Sequence, residues 1–146
     1  MGVSGETRAA RAASEEPKSL LADVDGAMCP ARLVLEHVTS RWAVLILIAL
    51  RERSYRFSEL RRRVGGVSEK MLTQTLQTLE RDGFVHRDAK PVIPPRVDYS
   101  LTELGEEAAR QVWELARWTD ARVPAVQEAR VRYDEARRET VAGSSQ

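Results

Sequence analysis

One cysteine, two histidines and no long apolar run set the first limits on this 146-residue chain. Cys29 alone allows no intrachain disulfide framework and no Cys-rich zinc site. His37 and His86 lie too far apart in sequence to give a metal-ligand spacing, so neither a metal nor a cofactor is expected. The longest apolar run, Ala43 to Leu50, falls well short of the roughly 18 to 20 residues a membrane span requires. It reads as a buried helix, and no membrane partner is expected. The opening MGVSGETRAARAASEEPKS has no hydrophobic stretch of the secretory kind, which points to a cytoplasmic protein. Cys29, His37 and the carboxylates form no local arrangement of nucleophile, base and orienting group. No catalytic residue is therefore assigned, and an enzyme is not expected.

The net charge of +1 decides nothing, but its distribution does. Residues 41 to 96 hold twelve basic and six acidic side chains, a local excess of six positive charges. Residues 1 to 40 hold four against six, and residues 97 to 146 seven against ten. Acidic ends therefore mask a basic middle, the footprint of a nucleic-acid module, although a basic stretch can also be a solvated surface.

The length suits one domain with extensions. Residues 1 to 27 are small, polar and charged and read as a flexible arm. Order begins near Cys29-Pro30, because proline suits the first turn of a helix, where its missing N–H has no partner to lose. That helix runs to about Thr39. Ser40 can cap a second helix, RWAVLILIALRE, apolar on nearly all sides and suited to the centre of a small fold. Tyr55-Arg56-Phe57 is β-prone, and Ser58-Glu59-Leu60 starts a third helix that Gly65-Gly66 stops. Ser68 can cap a fourth, EKMLTQTLQTLERD, ended by Gly83. Two strand candidates follow, FVHRD and RVDYSL, joined by AKPVIPP, whose prolines require an exposed loop. Thr102 begins the last helix, with Glu103, Glu106 and Glu107 suited to its dipole, and Pro124 is expected to kink or break it. The whole reads as mainly α with a small β-hairpin wing: a winged helix-turn-helix.

The fourth helix has two faces. Leu72, Leu76 and Leu79, with Thr75 between them, form one stripe. Lys70, Thr73, Gln74, Gln77 and Arg81 form the other, rich in uncharged groups that both donate and accept. Glutamine can pair with adenine through two hydrogen bonds, and threonine offers a hydroxyl and a methyl to thymine. Lys70 and the helix start at Ser68 suit phosphates. Arg61, Arg62 and Arg63 on the third helix can reach the DNA backbone, or pair with Glu59 and the acidic ends. Lys90 and Arg96 flank a proline-stiffened hairpin tip that can lie along the backbone or enter the minor groove. Arg87 is left open, since a strand residue can face either side.

Five blocks of sequence carry a resemblance: Cys29-Pro30; Arg41-Trp42 with LILIAL; RFSEL at Arg56 to Leu60; GGVSEKMLTQTLQTLERDGFVHR from Gly65; and IPPRVDYSLTELG from Ile93. Over residues 28 to 118 the chain resembles the HxlR-type family of bacterial winged-helix regulators. It departs from the family pattern at Thr39-Ser40-Arg41, where two glycines and a lysine are usual, and in continuing from 119 to 146. The resemblance implies a homodimer on double-stranded operator DNA, with the helix at 68 to 81 in the major groove and the hairpin as wing. It implies a dimer interface through the first and last helices, carried over to Leu33, Val112, Leu115 and Trp118. Residues 28 to 118 would then form the DNA-binding domain with its dimerisation helices, and residues 119 to 146 a helical extension with a frayed end. In several members a cysteine at the position of Cys29 resembles a redox or electrophile sensor, and a thiol at a helix start feels a dipole that favours the thiolate. The other reading of Cys29 is a small residue packed at the dimer interface. An oxidant or small-molecule effector is compatible with the pattern but not identified by it.

A winged helix used as a protein- or ligand-interaction module is the alternative. A protein-docking face would expose aromatic or aliphatic anchors where this chain has threonine and glutamine. A steep salt dependence of DNA binding separates the two.

Overall fold

A computed structural model describes Leu20 and residues 29–145, so the arm expected over residues 1 to 27 lies, Leu20 apart, outside the described residues. The elements are α1 (Pro30–Thr39), α2 (Arg41–Glu52), β1 (Tyr55–Arg56), α3 (Phe57–Val64), α4 (Glu69–Arg81), β2 (Val85–Lys90), β3 (Arg96–Leu101) and α5 (Glu103–Ser144). The fold is a winged helix: mostly helical, with one small antiparallel sheet of order β1-β3-β2.

The apolar α2 sits at the centre, packed against α1, α3, α4, α5 and β3. Its Ala43, Ile46, Leu47, Ala49 and Leu50 are all buried. Leu60 of α3, Leu72, Leu76 and Leu79 of α4, and Ala109 and Val112 of α5 close around them. Each fully buried leucine or isoleucine contributes roughly 1.5 to 3 kcal/mol. No single helix among the described residues is long and apolar enough to cross a membrane. Placed end to end, α1 and α2 would be, but they bend by 71° and α2 is the core.

Two expectations about helix ends are corrected. Ser40 stands at the start of α2, yet its side chain makes no cap hydrogen bond there. Ser40 also ends α1, and its hydroxyl donates instead to the His37 carbonyl, 3.0 Å away. In the rotamer that donates to this carbonyl, orphaned at the end of α1, the Ser40 oxygen accepts from no N–H of α2. Pro124 does not break α5, which runs unbroken for 42 residues, about 63 Å at 1.5 Å per residue. Proline costs the helix one N–H bond and crowds the carbonyl of Asp120. Asp120 is exposed, so water can serve that carbonyl, and alanine, arginine and glutamate on either side favour helix.

α5 is fixed to the sheet at its first turn. The Thr102 side chain accepts from the Gly105 N–H at 3.0 Å and donates to the Gly83 carbonyl at 2.5 Å. The Thr102 N–H donates to the Phe84 carbonyl at 3.0 Å. Gly105 allows this approach: a Cβ there would stand 1.9 Å from the Phe84 oxygen. Gly105→Ala should therefore cost roughly 3 kcal/mol or more and lower the melting temperature by about 10 °C or more. An unchanged melting temperature would mean that this corner is not packed as described.

Candidate nucleic-acid interface

The turn between α3 and α4 is built from glycine and arginine. Gly65 and Gly66 both take positive φ, 71° and 78°, which a side chain would strain. The Gly65 N–H donates to the Arg61 carbonyl at 3.1 Å, and Arg61 Nε donates to the Val67 carbonyl at 3.2 Å. Val67 is buried, anchoring the turn, and the Ser68 side chain then accepts from the Met71 N–H at 3.1 Å. Ser68 is thus the N-cap of α4, which normally stabilises a helix by about 1 kcal/mol.

With Leu72, Leu76 and Leu79 buried, the helix period turns Lys70, Gln74, Gln77 and Arg81 outward, with Thr73 beside them. The exposed face is the one expected from the sequence. From the flank nearest α1, Thr75 and Thr78 donate to the carbonyls of Met71 and Gln74, leaving the outward positions to longer side chains.

The three arginines of α3 have different fates. Arg61 also pairs with Glu69 at 3.6 Å, so part of its charge is spent on the turn. Arg63 is held by Glu52 through two hydrogen bonds, and Tyr55 donates to the same carboxylate at 2.7 Å. Arg63, then Tyr55, hold the Glu52 carboxyl below its ordinary range. Arg62 makes no ion pair with any described residue and is exposed.

In the hairpin, strand register sorts every side chain by face. Val85, Arg87 and Ala89 of β2 lie opposite Leu101, Tyr99 and Val97, and Tyr55 lies opposite Tyr99 from the other side. His86, Asp88 and Lys90 share the other face with Ser100, Asp98, Arg96 and Arg56. Asp88 and Asp98 are directly opposed. Lys90 reaches Asp88 at 2.9 Å and Asp98 at 3.8 Å, and Arg96 reaches Asp98 at 2.9 Å. The hydrogen bond between Asp88 and Lys90 pushes that carboxyl down and that ammonium up from their ordinary values, and Asp98 pushes Arg96 up. Lys90 and Arg96, expected as grip, are thus already occupied by two carboxylates.

Sequence reasoning missed a link between α1 and α4. His37 Nδ1 lies 2.6 Å from Asp82 Oδ2, joining the last turn of α1 to the C-cap of α4. An aspartate at a helix C-terminus, against the dipole, was its faint signal.

Of the residues expected at a dimer interface, Leu33 is exposed, as are Leu115 at 57% and Trp118 at 59%. Val112 differs: it points into the core and is 6% exposed, leaving little surface for a partner. Cys29 immediately precedes α1 and is buried at 9%. Among the described residues no cluster of three His, Cys, Asp or Glu could hold a metal ion.

The family model described as HxlR-like helix-turn-helix matches residues 37–127. The HTH-type transcriptional regulator YtfH of Escherichia coli (strain K12) is 62% identical over 98 residues, covering 67% of this chain and 78% of that protein. A solved structure, the transcriptional regulator ytfH from Salmonella typhimurium, is 56% identical with a TM-score of 0.69, covering 74% of this chain and 96% of that one. The redox regulator HypR in its oxidized form is 33% identical with a TM-score of 0.59, covering 64% and 96% respectively.

Proposed function

From membership of the HxlR-like helix-turn-helix family, to which this chain belongs as a transcriptional regulator, we propose sequence-specific binding to operator DNA by a homodimer. The observation that carries this reading is the outward face of α4, where Lys70, Thr73, Gln74 and Gln77 stand clear of the core on a helix with a capped, accessible start. An α-helix fits the major groove, which is about 12 Å wide. Thr73, Gln74 and Gln77 then read base edges, while Ser68, Lys70, Arg61 and Arg62 meet phosphates at the helix start and beside it. The wing lies alongside, with Lys90 and Arg96 held by Asp88 and Asp98.

A second copy supplies the other half-site. Exposed Leu33 on α1 and Leu115 and Trp118 on α5 offer the apolar surface for it, and two α4 helices about 34 Å apart would read an inverted repeat. Selection from a random duplex library gives the preferred sequence. On it, Gln74→Ala and Gln77→Ala should each weaken binding by roughly 10-fold to 100-fold, with little change on random DNA. Sedimentation should give the mass of two chains per operator. Unchanged affinity of both variants would sink the assignment of this face, and one chain per operator would sink the dimer.

The same reading extends to Cys29 as a point of oxidant control, supported by its place at the start of α1 and by likeness to the redox regulator HypR. Two Cys29 thiols, one from each protomer, would give up two electrons and two protons to an oxidant such as diamide and form an intersubunit disulfide. With a small thiol present, one Cys29 would form a mixed disulfide instead. Cys29 is buried in the single chain, so its thiol must become more exposed before it reacts. Diamide treatment should change operator affinity at least several-fold in the wild type and not in Cys29→Ser. Full modification of Cys29, seen by mass spectrometry, with unchanged affinity would overturn this part.

A further inference from the structure

The charged side chains of the wing are divided by the sheet's two faces. Within residues 85–101 there are three cations, Arg87, Lys90 and Arg96, and two carboxylates, Asp88 and Asp98. Lys90, Arg96, Asp88 and Asp98 all lie on one face and pair with each other. Arg87 lies on the opposite face with Val85, Val97, Tyr99 and Leu101, and is the one charged residue there among the described strands. The surplus positive charge of the hairpin therefore rests on Arg87. Its guanidinium forms no ion pair or hydrogen bond with any described residue. It opens onto a cleft of about 350 Å³ between the sheet and α4, which Thr73, Gln77, Glu80 and Tyr99 also line. Glu80 borders this cleft without pairing with Arg87.

We propose that Arg87 is the working cation of the wing and holds a DNA phosphate at the wall of the groove that α4 enters. The proposal rests on the reading of α4 as the DNA-reading helix. With its side chains, a helix about 10 to 12 Å across nearly fills a major groove about 12 Å wide. A group beside the helix, rather than on its outward face, meets the wall of that groove, and the wall is phosphate. Arg87 stands beside α4, on the flank of Thr73 and Gln77. A guanidinium offers the fork that phosphate oxygens accept, and Arg87 has no carboxylate to leave first. Lys90 and Arg96 must break pairs with Asp88 or Asp98 to make the same contact, and those two carboxylates would approach the phosphates with them. Their net gain is correspondingly small.

The test uses the full chain on a random-sequence duplex about three turns long and on the selected operator, titrated across salt. Arg87→Gln should lower affinity for both DNAs roughly fivefold to tenfold per protomer and flatten the log–log salt slope by about 0.9 per protomer. Arg87→Lys should keep the slope. Arg96→Gln combined with Asp98→Asn removes an outer-face pair at constant net charge and should leave affinity within about twofold. Melting temperatures of the Arg87 variants should match the wild type, since Arg87 is exposed. An unchanged slope in Arg87→Gln overturns the proposal, as does a larger loss from the Arg96/Asp98 double variant, or a lowered melting temperature with unchanged DNA binding. If Gln74→Ala and Gln77→Ala lose operator preference while Arg87→Gln changes nothing, the reading of α4 stands and Arg87 falls. If the wild type binds neither DNA, both fall together.

Discussion

Leu72, Leu76 and Leu79 can be buried in only one direction, against α2, and the outward face of α4 follows from that. α2 is apolar on nearly every side, so it must lie at the centre and be covered by α3, α4, α5 and the sheet. Once the leucine stripe of α4 docks there, the period of 3.6 residues puts Lys70, Gln74 and Gln77 on the far side. The turn from Gly65 to Ser68 sets where α4 begins, through two left-handed glycines, the Arg61 contact to Val67 and the Ser68 cap. Thr102 and Gly105 then fix α5 and, through Gly83 and Phe84, the end of α4 from which the hairpin departs.

The electrostatics of the surface are those of selective disarmament. Twelve cations crowd residues 41 to 96, but many are occupied. Glu52 takes Arg63, Glu59 takes Arg53 and Arg56, Glu69 takes part of Arg61, and the facing Asp88 and Asp98 take Lys90 and Arg96. Exposed pairs of this kind stabilise the fold only modestly. Their larger consequence is that, around α4, Arg62, Lys70, Arg81 and Arg87 are the cations with no ion pair to a described residue. On the proposed reading, a surface built this way would offer DNA a few chosen points of contact instead of a uniform positive field.

Much of this was legible in the sequence, because it depends on periodicity and on residues with one structural use. The leucine stripe, the Gly-Gly turn, the Ser68 cap and the proline-bounded hairpin each follow from local chemistry. The parts that were not legible depend on competition or register. Ser40 could cap α2 or close α1, and only the packed structure decides between them. Pro124 forbids one hydrogen bond, but whether the helix stops depends on the exposure of a carbonyl four residues earlier. The face of Arg87 depends on pairing with Tyr99, although Val97, Tyr99 and Leu101 alternating with charged or polar residues in β3 already hinted at the inner face. The link between His37 and Asp82 spans 45 residues and has no periodic signature.

The central claim is that two copies of α4 lie in successive major grooves of one operator. Methylation interference on the selected operator tests it most directly, because dimethyl sulfate marks guanine N7 in the major groove and adenine N3 in the minor groove. Guanine N7 methylation should block binding in two patches about one helical turn, ~34 Å, apart and related by the inverted repeat. Binding indifferent to major-groove methylation, or blocked in a single patch, would contradict the account.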